Sequence, residues 1–590
     1  MVGKLLGRSS SPHKTVDDEG QREKPHRRFL VVAAVLIGFS FFVVIQLIRW
    51  QVFQHSQLVS IAQAQMMTQN TEQIPVRGDI LDRYHHLLAV DIFEYSLWAS
   101  PQEVIANNHD IRRVIPMLAP ALDISTEELA SALSSERPYV LVADHVQQQV
   151  WSAIDKNQAM LDMTGFYWDI KPERMYPEGP LGAHILGFVN ARREGYFGVE
   201  GFYDHRLISR GSGQPASDES NSGSEPYQPY DVRPGSTLVL TVDRTIQYTL
   251  ENELILALKT YQAPSGSIIV MAPKTGAILG MANFPSYDPN HFMDTKQSRF
   301  ANPAVSEQYE PGSVFKIVTM AAGIDAGVVT PRTTYNDTGQ LEVGGRLIYN
   351  WDRGSNGVVD MTVVLGKSLN TGAAFVSTTL GKNRFYNYVR RFGFGRLSGV
   401  DMAGEIPGVA KLPGDSDWHE SDLGTNAFGQ GIAVTPLQML NSVAAVANRG
   451  QLMKPYIVGQ IIDGDEVTEI QPEVIRRAVS ENTAEQVTAM LVQAVENEIS
   501  QAYLPGYRVA GKTGTAEIPT PGGYKSDETI ASFIGYAPAF DPAFIVLVKI
   551  DKPHASQWGS KVAAPVFLRI AQFLFDYMDI APDAVALSSR

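Results

Sequence analysis

The sequence predicts an α/β chain, an antiparallel sheet layered with helices, preceded by a separate N-terminal module and one membrane-spanning helix. Three observations predict it. Residues 29–48 contain no charged side chain. Residues 210–234 are rich in Gly, Ser, Pro, Asp and Glu, a composition that buries too little apolar area to offset its conformational entropy and so reads as a linker. After Ser236 the texture changes to a strand over 237–242, an amphipathic helix over 245–260, and strands over 266–272 and 277–282 joined by the turn Lys274-Thr275-Gly276.

A chain of 590 residues exceeds what one core sustains and predicts several folded units. Hydrophobic residues make up 44% and charged residues 19%, enough for sizeable cores. A formal net charge of -14 speaks against nucleic acid as a partner, because phosphate binding needs basic surface. There is no cysteine, which excludes disulfides, thiolate catalysis and cysteine-ligated metals. No HExxH or clustered His and carboxylate spacing occurs, so neither a metal nor a cofactor is expected.

Taken in order, residues 1–28 form a polar cytoplasmic tail that ends in the basic cluster Arg22, Lys24, Arg27 and Arg28. Residues 29–49 follow as the transmembrane helix, since twenty apolar residues span about 30 Å of hydrocarbon. The stretch is too long for a cleaved signal peptide, and no small-residue cleavage site follows. Arg27 and Arg28 place the N-terminus in the cytoplasm and the remainder outside. Residues 51–72 are helical in composition. Arg77-Gly78-Asp79-Ile80-Leu81-Asp82-Arg83 and residues 87–90 read as a strand pair, with helices around 101–118 and 125–133 and a turn-rich stretch through 174–201. No nucleophile and base stand out here, so residues 50–210 read as a binding or spacing module. Beyond the linker, helices are expected around 358–380, 383–392, 435–447 and 484–497. Strands are expected at 507–516, 530–537 and 543–549, with a final helix at 565–578 and a tail at 581–590.

The chemistry concentrates at Tyr309-Glu310-Pro311-Gly312-Ser313-Val314-Phe315-Lys316. Pro311 and Gly312 break what precedes them, and the apolar run from Ile317, stopped at Gly327, predicts a helix beginning at or beside Ser313. Residues three apart share a helix face, so Ser313 and Lys316 form a candidate nucleophile and base at a helix N-terminus. Ser-x-x-Lys alone is a weak signal and recurs at Ser11 and Lys14. Two further motifs follow in order, Ser368-Leu369-Asn370 and Lys512-Thr513-Gly514-Thr515. Each also has a decoy. Lys274-Thr275-Gly276 precedes Ser313 and reads as a hairpin turn, and Ser480-Glu481-Asn482 reads as an acidic helix start.

The ordered set SxxK, SxN, KTG resembles the serine-acylated penicillin-binding proteins and β-lactamases. Phe428-Gly429-Gln430-Gly431 through Thr435-Pro436-Leu437-Gln438 is similar to a stretch between their second and third motifs. The Arg77–Arg83 segment and the stretches 182–187 and 198–201 resemble the N-terminal pedestal, or dimerisation-type domain, of class B penicillin-binding proteins. Residues 51–75 leave no room for the glycosyltransferase domain of class A. The resemblance implies a pedestal over 50–210, a linker over 211–234 and a transpeptidase domain of penicillin-binding-protein and serine β-lactamase type over 235–580.

It also implies a D,D-transpeptidase that cross-links peptidoglycan stem peptides, is acylated by β-lactam antibiotics and works beside a polytopic membrane glycosyltransferase and other division proteins. Ser313 would be the nucleophile and Lys316 its base. Ser368 would pass a proton to the leaving D-Ala, and Asn370 would hold Lys316 and the donor amide. Lys512, Thr513, Gly514 and Thr515 would form the substrate-binding strand, with the backbone N–H groups of Ser313 and Thr515 facing the oxyanion. The stretch 558–567 looks more like the division type than the elongation type. A β-lactamase, a carboxypeptidase and a penicillin-sensing scaffold are the alternatives.

Overall fold

The structure, a computed structural model, describes residues 24–49, 76–106, 111–156, 163–208, 234–520 and 523–583. The chain divides into two units, Met1–Gln73 and Ile74–Arg590. In the first, the helix Lys24–Ile48 covers the stretch where a membrane span is expected. Among the described residues no helix is long and apolar enough to cross a membrane; several side chains toward both ends of this one lie outside them. The helix expected over 51–72 and the linker 211–234, save Pro234, also lie outside the described residues, as does most of the tail 581–590.

The second unit is built on two sheets. A five-stranded antiparallel sheet runs in the order Ala510–Thr520, Gly523–Ala537, Phe544–Asp551, Ser265–Ala272, Ala277–Phe284. Successive side chains of a strand point to opposite faces, and here both faces are buried. Ile268, Val270, Phe533, Val546 and Val548 pack with Ile246, Leu250 and Leu254 of the helix Arg244–Tyr261 and with Phe567 and Leu574 of the helix Gly559–Tyr577. Ile269, Met271, Ile534, Ile545 and Leu547 pack on the other side with Val314, Phe315, Ile317 and Val318. Each such buried side chain is worth about 1.5–3 kcal/mol relative to exposure. The sheet is therefore a stiff platform between two layers, and the predicted layered α/β architecture is present.

The other sheet has seven strands, ordered Glu466–Glu469, Val458–Asp463, Thr237–Leu240, Ile80–Leu81, Leu87–Ala99, Val140–Val146, with Phe166–Met175 also paired to Leu87–Ala99. Thr237–Leu240 does not join the five-stranded sheet, as the strand and hairpin order had suggested. It pairs in parallel with Ile80–Leu81 and antiparallel with Val458–Asp463. Nearest neighbours in sequence did not decide the pairing; long-range partners did.

Around Ile80 the expected pedestal motif is held by a buried ion network. Arg77 donates to Glu200 at 2.5 and 3.0 Å and to Asp204 at 2.7 Å, and Arg174 donates to Glu200 at 2.7 Å. Burial alone would push the Glu200 carboxyl up, but the Arg174 and Arg77 guanidinium groups hold it low. Tyr203 then donates to Asp401 at 2.9 Å, and Asp401 accepts from the Ile457 and Val458 N–H groups at 2.7 and 2.9 Å. The pedestal is thereby tied to the strand that leads back into the larger sheet.

Two helix expectations change. The helix predicted over 358–380 is a strand, Gly357–Asp360, followed by two helices, Met361–Gly366 and Asn370–Leu380. The chain breaks at Ser368, whose φ is +62°, a conformation the continuous apolar pattern concealed. The last helix starts at Gly559, not at Pro565, which lies inside it.

Candidate active site

The turn that carries Ser313, the expected nucleophile and hence called the nucleophile turn, is not α-helical at its start. Gly312–Phe315 is a single 3-10 turn that leads into the helix Lys316–Asp325, and Gly327 closes the end with φ +70°. The tight turn still leaves Ser313 and Lys316 side by side. Lys316 Nζ lies 2.9 Å from Ser313 Oγ, 2.6 Å from the Ser368 carbonyl oxygen, 3.1 Å from Ser368 Oγ and 2.7 Å from Asn370 Oδ1. SxxK and SxN therefore meet at one nitrogen. Ser313, Ser368 and Asn370 are half-buried, and Lys316 is 2% exposed.

The break at Ser368 makes this possible, because the left-handed residue turns its carbonyl and hydroxyl toward the same amine. Asn370 opens the following helix, and its amide is oriented from both ends: Nδ2 donates to the Tyr349 carbonyl at 3.0 Å while Oδ1 faces Lys316. Beneath it, Thr371 donates to the buried Asp337 at 2.9 Å, and Asp337 also accepts from Asn350 and Asn356. Burial would raise the Asp337 carboxyl, but the hydrogen bonds from Asn356, Gly339, Thr371 and Asn350 hold it low. Neither Asp337 nor Asn350 carries a motif that sequence reading could have used.

The third motif lies on the edge strand Ala510–Thr520. Close approach to the nucleophile turn is set by glycine. A Cβ on Gly514 would meet Ser532 Oγ at 2.3 Å and Val314 at 2.8 Å. A Cβ on Gly429 would meet the Gly312 carbonyl oxygen at 2.3 Å, and the Gly312 N–H donates to Gly429 O at 3.2 Å. The Phe428–Gly431 stretch thus backs the turn. Thr515 Oγ1 accepts from the Gly559 N–H at 3.1 Å, and Thr513 is half-buried on the same edge.

Lys512 is completely buried; its Nζ donates to Thr513 O at 3.2 Å. Burial pushes its amine down to about 7. Burial, and after it the charge of Lys512, hold Lys316 well below the usual lysine range. Among the described residues neither lysine forms an ion pair with a carboxylate. Both amines are thus buried without a side-chain counter-ion among the described residues.

The decoys fall elsewhere. Lys274-Thr275-Gly276 is the turn between two strands of the five-stranded sheet, and Ser480 caps the helix Glu481–Glu498. Ser11 and Lys14 lie outside the described residues. Among the described residues no group of three or more His, Asp or Glu is placed to hold a metal ion.

Comparison with known proteins agrees with the fold. A model of the penicillin binding protein transpeptidase domain matches residues 266–572, and one of the penicillin-binding protein dimerisation domain matches residues 72–240. Stage V sporulation protein D of Bacillus subtilis is 33% identical over 519 residues, 86% of this chain and 79% of that protein. Peptidoglycan D,D-transpeptidase FtsI of Escherichia coli K12 is 28% identical over 594 residues, 97% of this chain and 96% of that protein. The crystal structure of penicillin binding protein 3 from Mycobacterium tuberculosis complexed with aztreonam superposes with a TM-score of 0.67 at 28% identity, covering 86% of this chain and 98% of that one. With a transpeptidase model matched over more than half its length and a dimerisation model before it, the chain belongs to the class B penicillin-binding proteins.

Proposed function

We propose that the protein is a peptidoglycan D,D-transpeptidase that cross-links stem peptides through an acyl-enzyme on Ser313. The observation that carries this is the set of four oxygen atoms around Lys316 Nζ. Two of them, the Ser368 carbonyl and Asn370 Oδ1, can only accept, and they are the two nearest, at 2.6 and 2.7 Å. A neutral amine has two N–H donors for these, leaving its lone pair to face the hydroxyl of Ser313. That is the arrangement of a base ready to take the serine proton.

In this reading Ser313 Oγ attacks the carbonyl of the penultimate D-Ala while its proton passes to Lys316. The tetrahedral oxyanion is stabilised by the backbone N–H groups of Ser313 and Thr515, one such donor being worth about 2.7–4 kcal/mol. The C–N bond then breaks as Ser368, 3.1 Å from Lys316 Nζ, relays the proton held by Lys316 to the departing D-Ala amine, which returns Lys316 to its neutral form. The amine of a neighbouring stem then attacks the ester carbonyl, a new C–N bond forms as the C–O bond to Ser313 breaks, and the amine proton passes through Lys316 to Ser313 Oγ. Lys512, Thr513 and Thr515 hold the terminal carboxylate of the donor, the anion that the buried positive charge calls for. Gly514 lets their strand lie against Pro311 and Val314. A β-lactam follows the same first step, but its leaving nitrogen stays tethered.

We assign the enzyme to division, supported by the relatives named FtsI and by the stretch 558–567. Its partners in this reading are the polytopic glycosyltransferase and other proteins of the division machinery. The helix Lys24–Ile48 serves as the membrane anchor. Its apolar residues 29–48 span about 30 Å at 1.5 Å each, and Leu36, Ile37, Phe39 and Phe41 are exposed by 60% or more. The tail 1–28 then lies in the cytoplasm and the pedestal and transpeptidase domain outside.

Three outcomes are expected. Intact-mass spectrometry after penicillin treatment finds one stable adduct on the Ser313 peptide and none in Ser313→Ala; an adduct that hydrolyses within minutes points to a β-lactamase instead. The acylation rate at saturating penicillin falls on the acid side as Lys316 is protonated. Because the charge of Lys512 helps to keep Lys316 neutral, Lys512→Met moves that acid limb to higher pH; an unmoved or lowered limb contradicts the coupling. Deletion of residues 1–49 releases the chain from the membrane fraction; unchanged fractionation refutes the anchor.

A further inference from the structure

Glu310 lies three residues before Ser313 and is 9% exposed. Its Oε1 accepts from the Gly431 N–H at 2.9 Å and from the Tyr524 hydroxyl at 3.3 Å. Its Oε2 is buried and has no hydrogen-bond partner among the described residues. Three segments therefore meet at one carboxylate: the nucleophile turn, the glycine turn whose Gly429 backs Gly312, and the far part of the hairpin that carries Lys512 to Thr515.

That hairpin needs such a tie. Its ladder runs from Ala510 opposite Tyr536 to Glu517 opposite Thr529, then jumps so that Ile518 faces Lys525. A ladder interrupted in this way bends and loses its regular pairing at the break. The segment with Ile518 and Tyr524 lies beyond that irregular stretch, away from the catalytic part of the strand. Tyr524 reaches back across to Glu310 and holds the segment from the side. A residue kept for stability alone would not be a carboxylate with one buried oxygen unpaired, since such an atom lowers stability.

We propose that Glu310 is a positioning residue that fastens the distal hairpin and the glycine turn to the nucleophile turn, fixing the strand of Lys512 and Thr513 relative to Ser313. Its consequence for acylation rests on the transpeptidase reading above; the hairpin contact does not. Among the described residues the carboxylate is not hydrogen-bonded to Lys316. Position, not charge, is what it supplies.

The test uses the full chain with Glu310→Ala, Glu310→Gln, Tyr524→Phe and the Glu310→Ala, Tyr524→Phe double variant. Three quantities are read: acylation by a fluorescent penicillin, amide hydrogen exchange at Ile518, Thr520 and Tyr524, and the melting temperature. Glu310→Ala slows acylation about 10-fold and Tyr524→Phe about 3-fold, as loss of coupled hydrogen bonds predicts. Both speed exchange at those three amides, and Tyr524→Phe does so without lowering the melting temperature. Glu310→Gln, which keeps an acceptor oxygen, stays within about 2-fold of wild type in both, and the double variant is no slower than Glu310→Ala. Wild-type exchange in Tyr524→Phe, or Glu310→Gln as impaired as Glu310→Ala, overturns the proposal. If wild type is not acylated at all, the transpeptidase reading falls, and the exchange rates alone decide the role of Glu310.

Discussion

Two buried lysines, neither paired with a carboxylate among the described residues, set the terms for the whole site. Inside a protein a charged amine must be paired, hydrated or neutral. Lys316 is enclosed by oxygen atoms of Ser313, Ser368 and Asn370, none of them charged, and the nearby positive charge of Lys512 further penalises its ammonium form. The pair tolerates one positive charge more readily than two. In the proposed reaction that single charge sits on Lys512 to meet the donor carboxylate, while the free amine of Lys316 meets the serine. In that reaction the motif proposed to bind the substrate also helps to activate the proposed nucleophile.

The rest of the fold keeps that arrangement tight. The five-stranded sheet is buried on both faces, so the strand carrying Lys512 is backed by a layer that cannot shift without opening a core. Glycines at 312, 429, 514 and 559 let the nucleophile turn, the Phe428–Gly431 stretch, the edge strand and the last helix approach within backbone contact. From the other side, the buried Asp337 gathers Thr371, Asn350 and Asn356 under the helix that begins at Asn370. The pedestal enters through Tyr203 and Asp401, which bind it to the same unit without touching the cleft.

Sequence alone revealed what obeys local rules. Ser313 and Lys316 were legible because one helical turn, 3-10 or α, brings residues three apart together. The decoys at Lys274 and Ser480 were legible as a turn and a helix cap from the chemistry of their neighbours. What stayed hidden depends on distant partners. The apolar run through 361–380 gives no sign that the chain inverts at Ser368, and only the lysine from another helix explains why it does. Thr237–Leu240 reads as a strand from its residues, yet its neighbour Ile80–Leu81 lies over a hundred positions away. Glu310 looks like an ordinary solvated acid until Gly431 and Tyr524 are seen to converge on it.

One proton, the one on Lys316, decides the chemistry, and it can be observed without any substrate. Carbon-13 labelling of lysine at Cε, with the Lys316 resonance assigned by its loss in Lys316→Met, reports the charge of that amine directly as pH is varied. The expected result is the shift of a free amine at neutral pH, with protonation only well below the ordinary lysine value of about 10.4. An ammonium shift that persists at neutral pH and titrates near that ordinary value would contradict it.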